Sequence, residues 1–177
     1  MGWTGTHRPK GQTLREFFVN EGILSEDRIV DFAVKHRTTA YIAYRMPDTE
    51  KVHAVVILIR YSRDYFNTTY KDMTEGMGPA ESECPERILD ALDPIDEGYA
   101  VEWRERCRRN IAVRRSVKKG SVVRFVKPIE FSNGISMQSL VYSGKGNTFH
   151  DPSGPSYGRY RVPGWIDLID REEVTVA

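Results

Sequence analysis

The chain has 177 residues, 40% of them hydrophobic and 29% charged, with a formal net charge of +1. That composition reads as a soluble globular protein and excludes a disordered chain or a membrane bundle, and the length suits one domain or two small subdomains. No apolar run approaches the roughly 18 residues of a membrane-crossing helix, and the small net charge hides a separation into an acidic block and a basic block.

The opening, Met1 to Gly11, holds Gly2, Gly5, Gly11 and Pro9 and reads as extended or looped chain, with no apolar segment of a secretory leader behind it. Thr13 with Glu16 three residues later is a capping box, and Leu14, Phe17 and Phe18 share one face before Gly22, which predicts a helix over 13–21. Ser25 opens a second predicted helix, with Ile29, Val30, Phe32 and Ala33 as its apolar face and an end near His36. Thr38–Arg45 and Val52–Tyr61 are β-branched and aromatic runs around a Pro47-Asp48 turn, so an antiparallel hairpin is expected. Every position from 54 to 59 is apolar, so the second strand should be covered on both faces and central to a sheet. Asp64–Met73 supplies a third strand.

The stretch from Tyr70 to Pro85 is too polar, and too broken by Gly76, Gly78 and Pro79, for an ordinary strand or helix. Loops on a rigid scaffold carry many functional groups, and this one presents Lys71, Asp72, Glu75, Glu81, Glu83 and Cys84. Converging carboxylates could hold a divalent cation or act as an acid–base pair, and a thiolate at Cys84 would be stabilised by the helix start that follows it. Lys71, Asp72, Glu75 and Cys84 are therefore the candidate catalytic residues of a pocket around residues 70–84. The plainer reading is that the acids keep the loop soluble and favour the N-terminus of the next helix. No histidine lies near Cys84 in sequence to serve as its base.

Cys84-Pro85 starts a short helix through Leu92, and Asp93-Pro94 starts a longer one to about Val113, in which Tyr99, Trp103, Cys107 and Ile111 recur every four residues as a buried stripe. Asp72 to Glu102 holds ten acidic residues against Arg87 alone, and Arg104 to Lys127 ten basic residues against Glu105 alone. Around the long helix Arg104, Arg108 and Arg115 fall within about 40° of one another. With Lys118 and Lys119 they form the candidate nucleic-acid-binding row, since guanidinium and ammonium groups in line can track a phosphate backbone. The competing reading pairs these cations with the acidic block upstream. Cys84 and Cys107 suit the reduced thiols of a cytoplasm. His7, His36, His53 and His150 show no zinc spacing, so no metal and no cofactor is expected.

From Val117 the pattern turns to β: a strand, the Asn133-Gly134 turn, a strand through Tyr142, and a hairpin turn at Gly144–Asn147 whose strand flanks do not fit a phosphate loop. Thr148–Pro155 reads as a loop, Tyr157–Val162 as a strand and Trp165–Ile169 as a last strand. Short strands with tight turns predict a small β-barrel or curled sheet, with Tyr157, Tyr160 and Trp165 filling its core or stacking on bases.

Met1-Gly2-Trp3-Thr4, Tyr70-Lys71-Asp72-Met73, Met77-Gly78-Pro79 with Cys84-Pro85, and Trp103-Arg104 with Cys107-Arg108 resemble an uncharacterised family of small proteins from phages and bacterial mobile elements. The resemblance implies an accessory protein of a phage or mobile element in the cytoplasm of a bacterial host, and carries no activity, cofactor or catalytic residue. The expected architecture is α+β: N-terminal helices with an antiparallel sheet, a two-helix segment at 85–113, and a C-terminal barrel, divided as 1–115 and 116–177. The expected function is non-enzymatic binding of nucleic acid, or of a host nucleic-acid-handling protein, through the basic helix face. The alternatives are an enzyme with a pocket at 70–84 and an inhibitor of a host defence protein whose acidic loop mimics nucleic acid. No membrane partner is expected, and the sequence carries no signal for oligomeric state.

Overall fold

The structure, a computed structural model, describes residues 4–6, 11–61, 66–72, 81–170 and 174–176. The fold is α+β, with an N-terminal helix, two antiparallel five-stranded sheets and middle helices. The chain divides into two units, Met1–Arg108 and Arg109–Ala177, where the sequence reading set the boundary at 115/116.

In the first unit the elements are β1 (Thr4–Thr6), α1 (Leu14–Asn20), β2 (Ile29–Lys35), β3 (Thr39–Arg45), β4 (Val52–Tyr61), β5 (Phe66–Asp72), α2 (Glu86–Asp90) and the start of α3 (Gly98–Ser116). The sheet order is β1-β5-β4-β3-β2, which puts the all-apolar β4 at the centre, as its sequence implies. One face packs on α1: Leu14, Phe17 and Phe18 bury against Ala40, Ile42, Val55, Ile57, Ile59 and Phe66.

The α1 cap forms as its sequence predicts. The Thr13 hydroxyl accepts from Glu16 N–H at 3.2 Å, and the Glu16 carboxylate accepts from Thr13 N–H at 2.7 Å. Those Thr13 bonds, backbone first, hold the Glu16 carboxyl below its ordinary 4.5. A depressed acid stabilises the fold above its unfolded pKa, so this contribution is present above about pH 4.5 and is lost as pH falls through the lowered value. Thr13→Ala is expected to lower the thermal midpoint by a few degrees at pH 7, and by less at pH 3, in a melt followed by circular dichroism.

The helix expected from Ser25 to His36 is instead a 3₁₀ turn, Glu26–Arg28, followed by strand β2. The Ser25 side chain makes no capping bond, and the β-branched Ile29, Val30 and Val34 lie in a segment that pairs with β3 from Ile29↔Tyr44 to Lys35↔Thr39. Pairing with a buried neighbour overrides a 3.6-residue apolar pattern that rests only on Ile29, Val30, Phe32 and Ala33. The segment ends where the sequence placed an end, because His36 and Arg37 take left-handed φ values of 52° and 64° and turn the chain into β3.

The second unit holds the end of α3, then β6 (Val122–Glu130), β7 (Ser136–Tyr142), β8 (Thr148–Asp151), β9 (Gly154–Arg161), α4 (Trp165–Asp170) and β10 (Val174–Val176). The expected barrel is not there. The order β10-β6-β7-β8-β9 leaves β10 and β9 as two separate edges, so the sheet is open and neither closed nor curled. The inner face is covered by a helix rather than by more sheet. Trp165 and Ile166 of α4, read from sequence as a last strand, bury against Val123, Phe125, Leu140, Phe149 and Tyr160. Gly164, at φ 69°, turns the chain after Pro163, and Leu168 N–H then bonds back to Gly164 carbonyl, which starts the helix. The segment expected as a loop at 148–155 forms β8 and the turn into β9.

Tyr160 is packed where Gly158 leaves room: a Cβ at 158 would lie 2.6 Å from the Tyr160 hydroxyl oxygen.

Candidate functional site

The second face of the first sheet carries a row of side chains in register, Ala33, Tyr41, Val56 and Lys71, one from each of β2 to β5 and all buried. Helix α3 crosses this row. Trp103 stacks on Tyr41 with ring centroids 6.4 Å apart, and Tyr99, one turn earlier, receives the Lys71 ammonium 4.0 Å from its ring centroid. A cation held over an aromatic face away from water is attracted by the ring quadrupole, so Lys71, 4% exposed, is tied to the helix that covers it.

Glu81 closes the row from above. Its carbonyl accepts from the Tyr41 hydroxyl and from the Trp103 indole N–H, each at 3.1 Å, and its carboxylate accepts from the Thr39 hydroxyl at 3.0 Å. Burial and then the Glu81 charge push the Tyr41 phenol far above its ordinary range, so it stays a donor. Glu83 meets His36 of the β2–β3 turn at 3.1 Å. Cys84 is 1% exposed and its thiol donates to Pro85 carbonyl at 3.7 Å. Burial, and next the neighbouring Cys107, push this thiol well above its usual range against the pull of Arg104, Arg108 and Lys35. Cys84 is therefore a neutral, buried thiol at physiological pH, and Cys107 is likewise buried and outside any disulfide.

Of the candidate catalytic residues, the structure thus places Lys71 and Cys84 in the packed layer between sheet and helices. Asp72 ends β5 opposite Val55, and Glu75 lies outside the described residues, as does the Met77-Gly78-Pro79 segment. No group of three or more metal-ligating side chains occurs among the described residues. In the second unit a cleft of about 370 Å³ is lined by Phe125, Val126, Lys127, Pro128, Ile129 and Leu168, with Lys127 the one charged group among these described residues.

The basic row divides. Arg104 is half-buried and its guanidinium donates to Asp93 carbonyl at 2.6 Å. Burial lowers its pKa first, then the adjacent Arg108, with Asp93 and Glu97 acting the other way. Arg108 pairs with Asp90 at 3.0 Å and reaches Leu89 carbonyl, so both arginines serve the C-terminal end of α2, where the carbonyls carry partial negative charge. Two members of the basic block thus meet the acidic block inside the first unit. Arg115, Lys118 and Lys119 are exposed at and beyond the end of α3, and the Lys118 ammonium donates to Arg115 carbonyl at 2.9 Å.

Sequence reasoning missed two groups. Asp93, read only as a helix-start signal, is a clamp: its carboxylate accepts from Val52 N–H at 2.7 Å and its own N–H donates to Val52 carbonyl at 2.9 Å. The other is a set of exposed arginines on the open sheet of the second unit: Arg124 on β6 is far in sequence from Arg159 and Arg161 on β9 and shares a sheet face with them only through strand register.

Residues 94–165 match the family model of a domain of unknown function (DUF6927), a segment that takes in α3 and β6 to β9 and is less than half of the 177 residues. No curated protein and no solved structure matches the chain.

Proposed function

We propose that this is a non-enzymatic binding protein for a polyanion of the nucleic-acid class, docked by the residues that follow Arg108. One observation carries the reading: charge is partitioned between the two units. Residues 109–177 hold eleven basic and six acidic side chains, a net +5, whereas residues 1–108 net −4. Within the first unit, the acids at 81, 83 and 90 already bond to Thr39, His36 and Arg108. A concentrated positive field on one unit raises the local concentration of a polyanion and steers its approach. The resemblance to phage and mobile-element proteins fits such a role in the cytoplasm of a bacterial host. No helix among the described residues is long and apolar enough to cross a membrane.

The experiment is anisotropy of a labelled oligonucleotide titrated with the full chain at several salt concentrations. Affinity is expected to fall linearly on a log–log plot against salt. Lys118→Glu with Lys119→Glu is expected to weaken binding severalfold at low salt with the fold intact. Arg104→Glu with Arg108→Glu should instead lower the melting temperature, because those groups hold the end of α2. Retention that is absent at low salt, or unaffected by salt, rules the reading out.

A further inference from the structure

The open sheet of the second unit has one face turned away from its core. Strand alternation puts Val123, Phe125, Leu140, Phe149 and Tyr160 inward, where they pack with α4. Their neighbours face outward in register: Val122, Val141, His150 and Arg159 form one cross-strand row over β6 to β9, Arg124 stands opposite Ser139 and Thr175, and Arg161 opposite Thr148. Arg124, Arg159 and Arg161 are all exposed. Tyr157, two residues before Arg159 on β9, is 70% exposed and is the most open large aromatic among the described residues.

This face has the parts a single strand needs. Arginines at its two sides, on β6 and on β9, are three strand spacings apart, about 14 Å. Between them lies a floor of Ser139, Val141, Thr148 and His150, none of them acidic, while the acids of these strands, Glu130 and Asp151, stand opposite Ser136 and Gly154, outside the rows that carry the arginines. Positive charge at both margins complements phosphates, the neutral floor does not repel them, and the free ring of Tyr157 offers a stacking surface to a base. A duplex keeps its bases paired and stacked on one another, so the ring gives it nothing. A protein partner would have no use for a neutral floor flanked by arginines unless it were itself acidic along its length.

Resting on the polyanion reading above, we infer that the outward face of β6 to β9 is a single-stranded nucleic-acid platform, with Arg124, Arg159 and Arg161 holding phosphates and Tyr157 stacking on a base.

The probes are labelled single-stranded dT and rU homo-oligomers, a DNA duplex and heparin, measured by anisotropy against the full chain. Arg124→Gln, Arg159→Gln and Arg161→Gln are each expected to flatten the salt slope for single strands by about 0.7. Tyr157→Ala should weaken single-strand binding about tenfold and leave heparin binding unchanged. Circular dichroism melts check that these exposed substitutions keep the fold. Equal affinity for dT and rU assigns the shared phosphate and base chemistry, and a preference for one names the natural strand. If the oligomers bind but the arginine variants bind as well as the parent, this surface is wrong while the polyanion reading stands. Tighter binding to the duplex, or an equal loss of heparin in Tyr157→Ala, overturns the single-strand assignment. No binding to any polyanion overturns both.

Discussion

Replacing Trp103 with Ala is expected to cost about 3–5 kcal/mol, the usual range for truncating a fully buried Trp. The ring is 0% exposed and lies against Tyr41, so its loss opens a cavity between α3 and the centre of the first sheet. The cost is also polar. The indole N–H and the Tyr41 hydroxyl share the Glu81 carbonyl as acceptor, and that carbonyl fixes the segment arriving over the row. Trp103→Phe keeps most of the packing and leaves Tyr41 as donor, so about 1–2 kcal/mol is expected there, the worth of one hydrogen bond plus a small void. Urea unfolding of the full chain, followed by far-ultraviolet circular dichroism, measures both. An unchanged midpoint in Trp103→Ala would remove this ring from the centre of the packing scheme.

Trp165→Ala should cost about as much, for a different reason. Trp165 begins α4, is 1% exposed and sits 5.3 Å from the Tyr142 ring and 5.4 Å from the Phe149 ring, the latter edge-on at 89°. It is the main seal over the inner face of the open sheet. Its indole N–H, however, is buried with no acceptor among the described residues. An unsatisfied buried donor is a cost to the fold, so Trp165→Phe is expected to be close to neutral. The pair of Phe variants therefore separates the two tryptophans: a clear loss at 103 and little at 165. A loss at 165 as large as that from Ala would mean the N–H has a partner after all.

The parts of this fold that could be read from sequence are those whose signals are local. The Thr13–Glu16 box, the all-apolar 54–59 run and the Asn133-Gly134 turn each specify their own structure within a few residues. The failures came where distant partners decide. Ile29 to Val34 shows a short helical pattern, but β3 is at hand to pair with it. Trp165 to Ile169 alternates weakly enough to pass for a strand, and becomes a helix because an uncovered sheet face needs a lid. Closing a barrel would have required β9 to meet β10, and α4 fills the interval between them in the chain.

The candidate site shows the same division. Arg104 and Arg108 stand out in sequence as a basic row, yet the helix end they serve, at Leu89 and Asp93, is separated from them by a loop and could not be seen as their acceptor. Arg124 falls in the basic block, yet its grouping with Arg159 and Arg161 gives no signal in sequence, because the three share a face only through the antiparallel register of β6 to β9. Loop residues Glu81 and Glu83 looked like chemistry and turn out to tie the segment to β3 and to the turn before it.

The outermost strand β2 borders the first sheet, and α2 reaches over to it: the Arg87 guanidinium bonds the Phe32 carbonyl at 2.9 Å and pairs with the Asp31 carboxylate. A border strand with idle carbonyls recruits strands from other molecules and seeds aggregation. Here one of those acceptors is already taken by the chain's own cation. A copy pairing at this point of the border must first displace that guanidinium and leave Asp31 without its counter-ion, which disfavours edge-to-edge addition there.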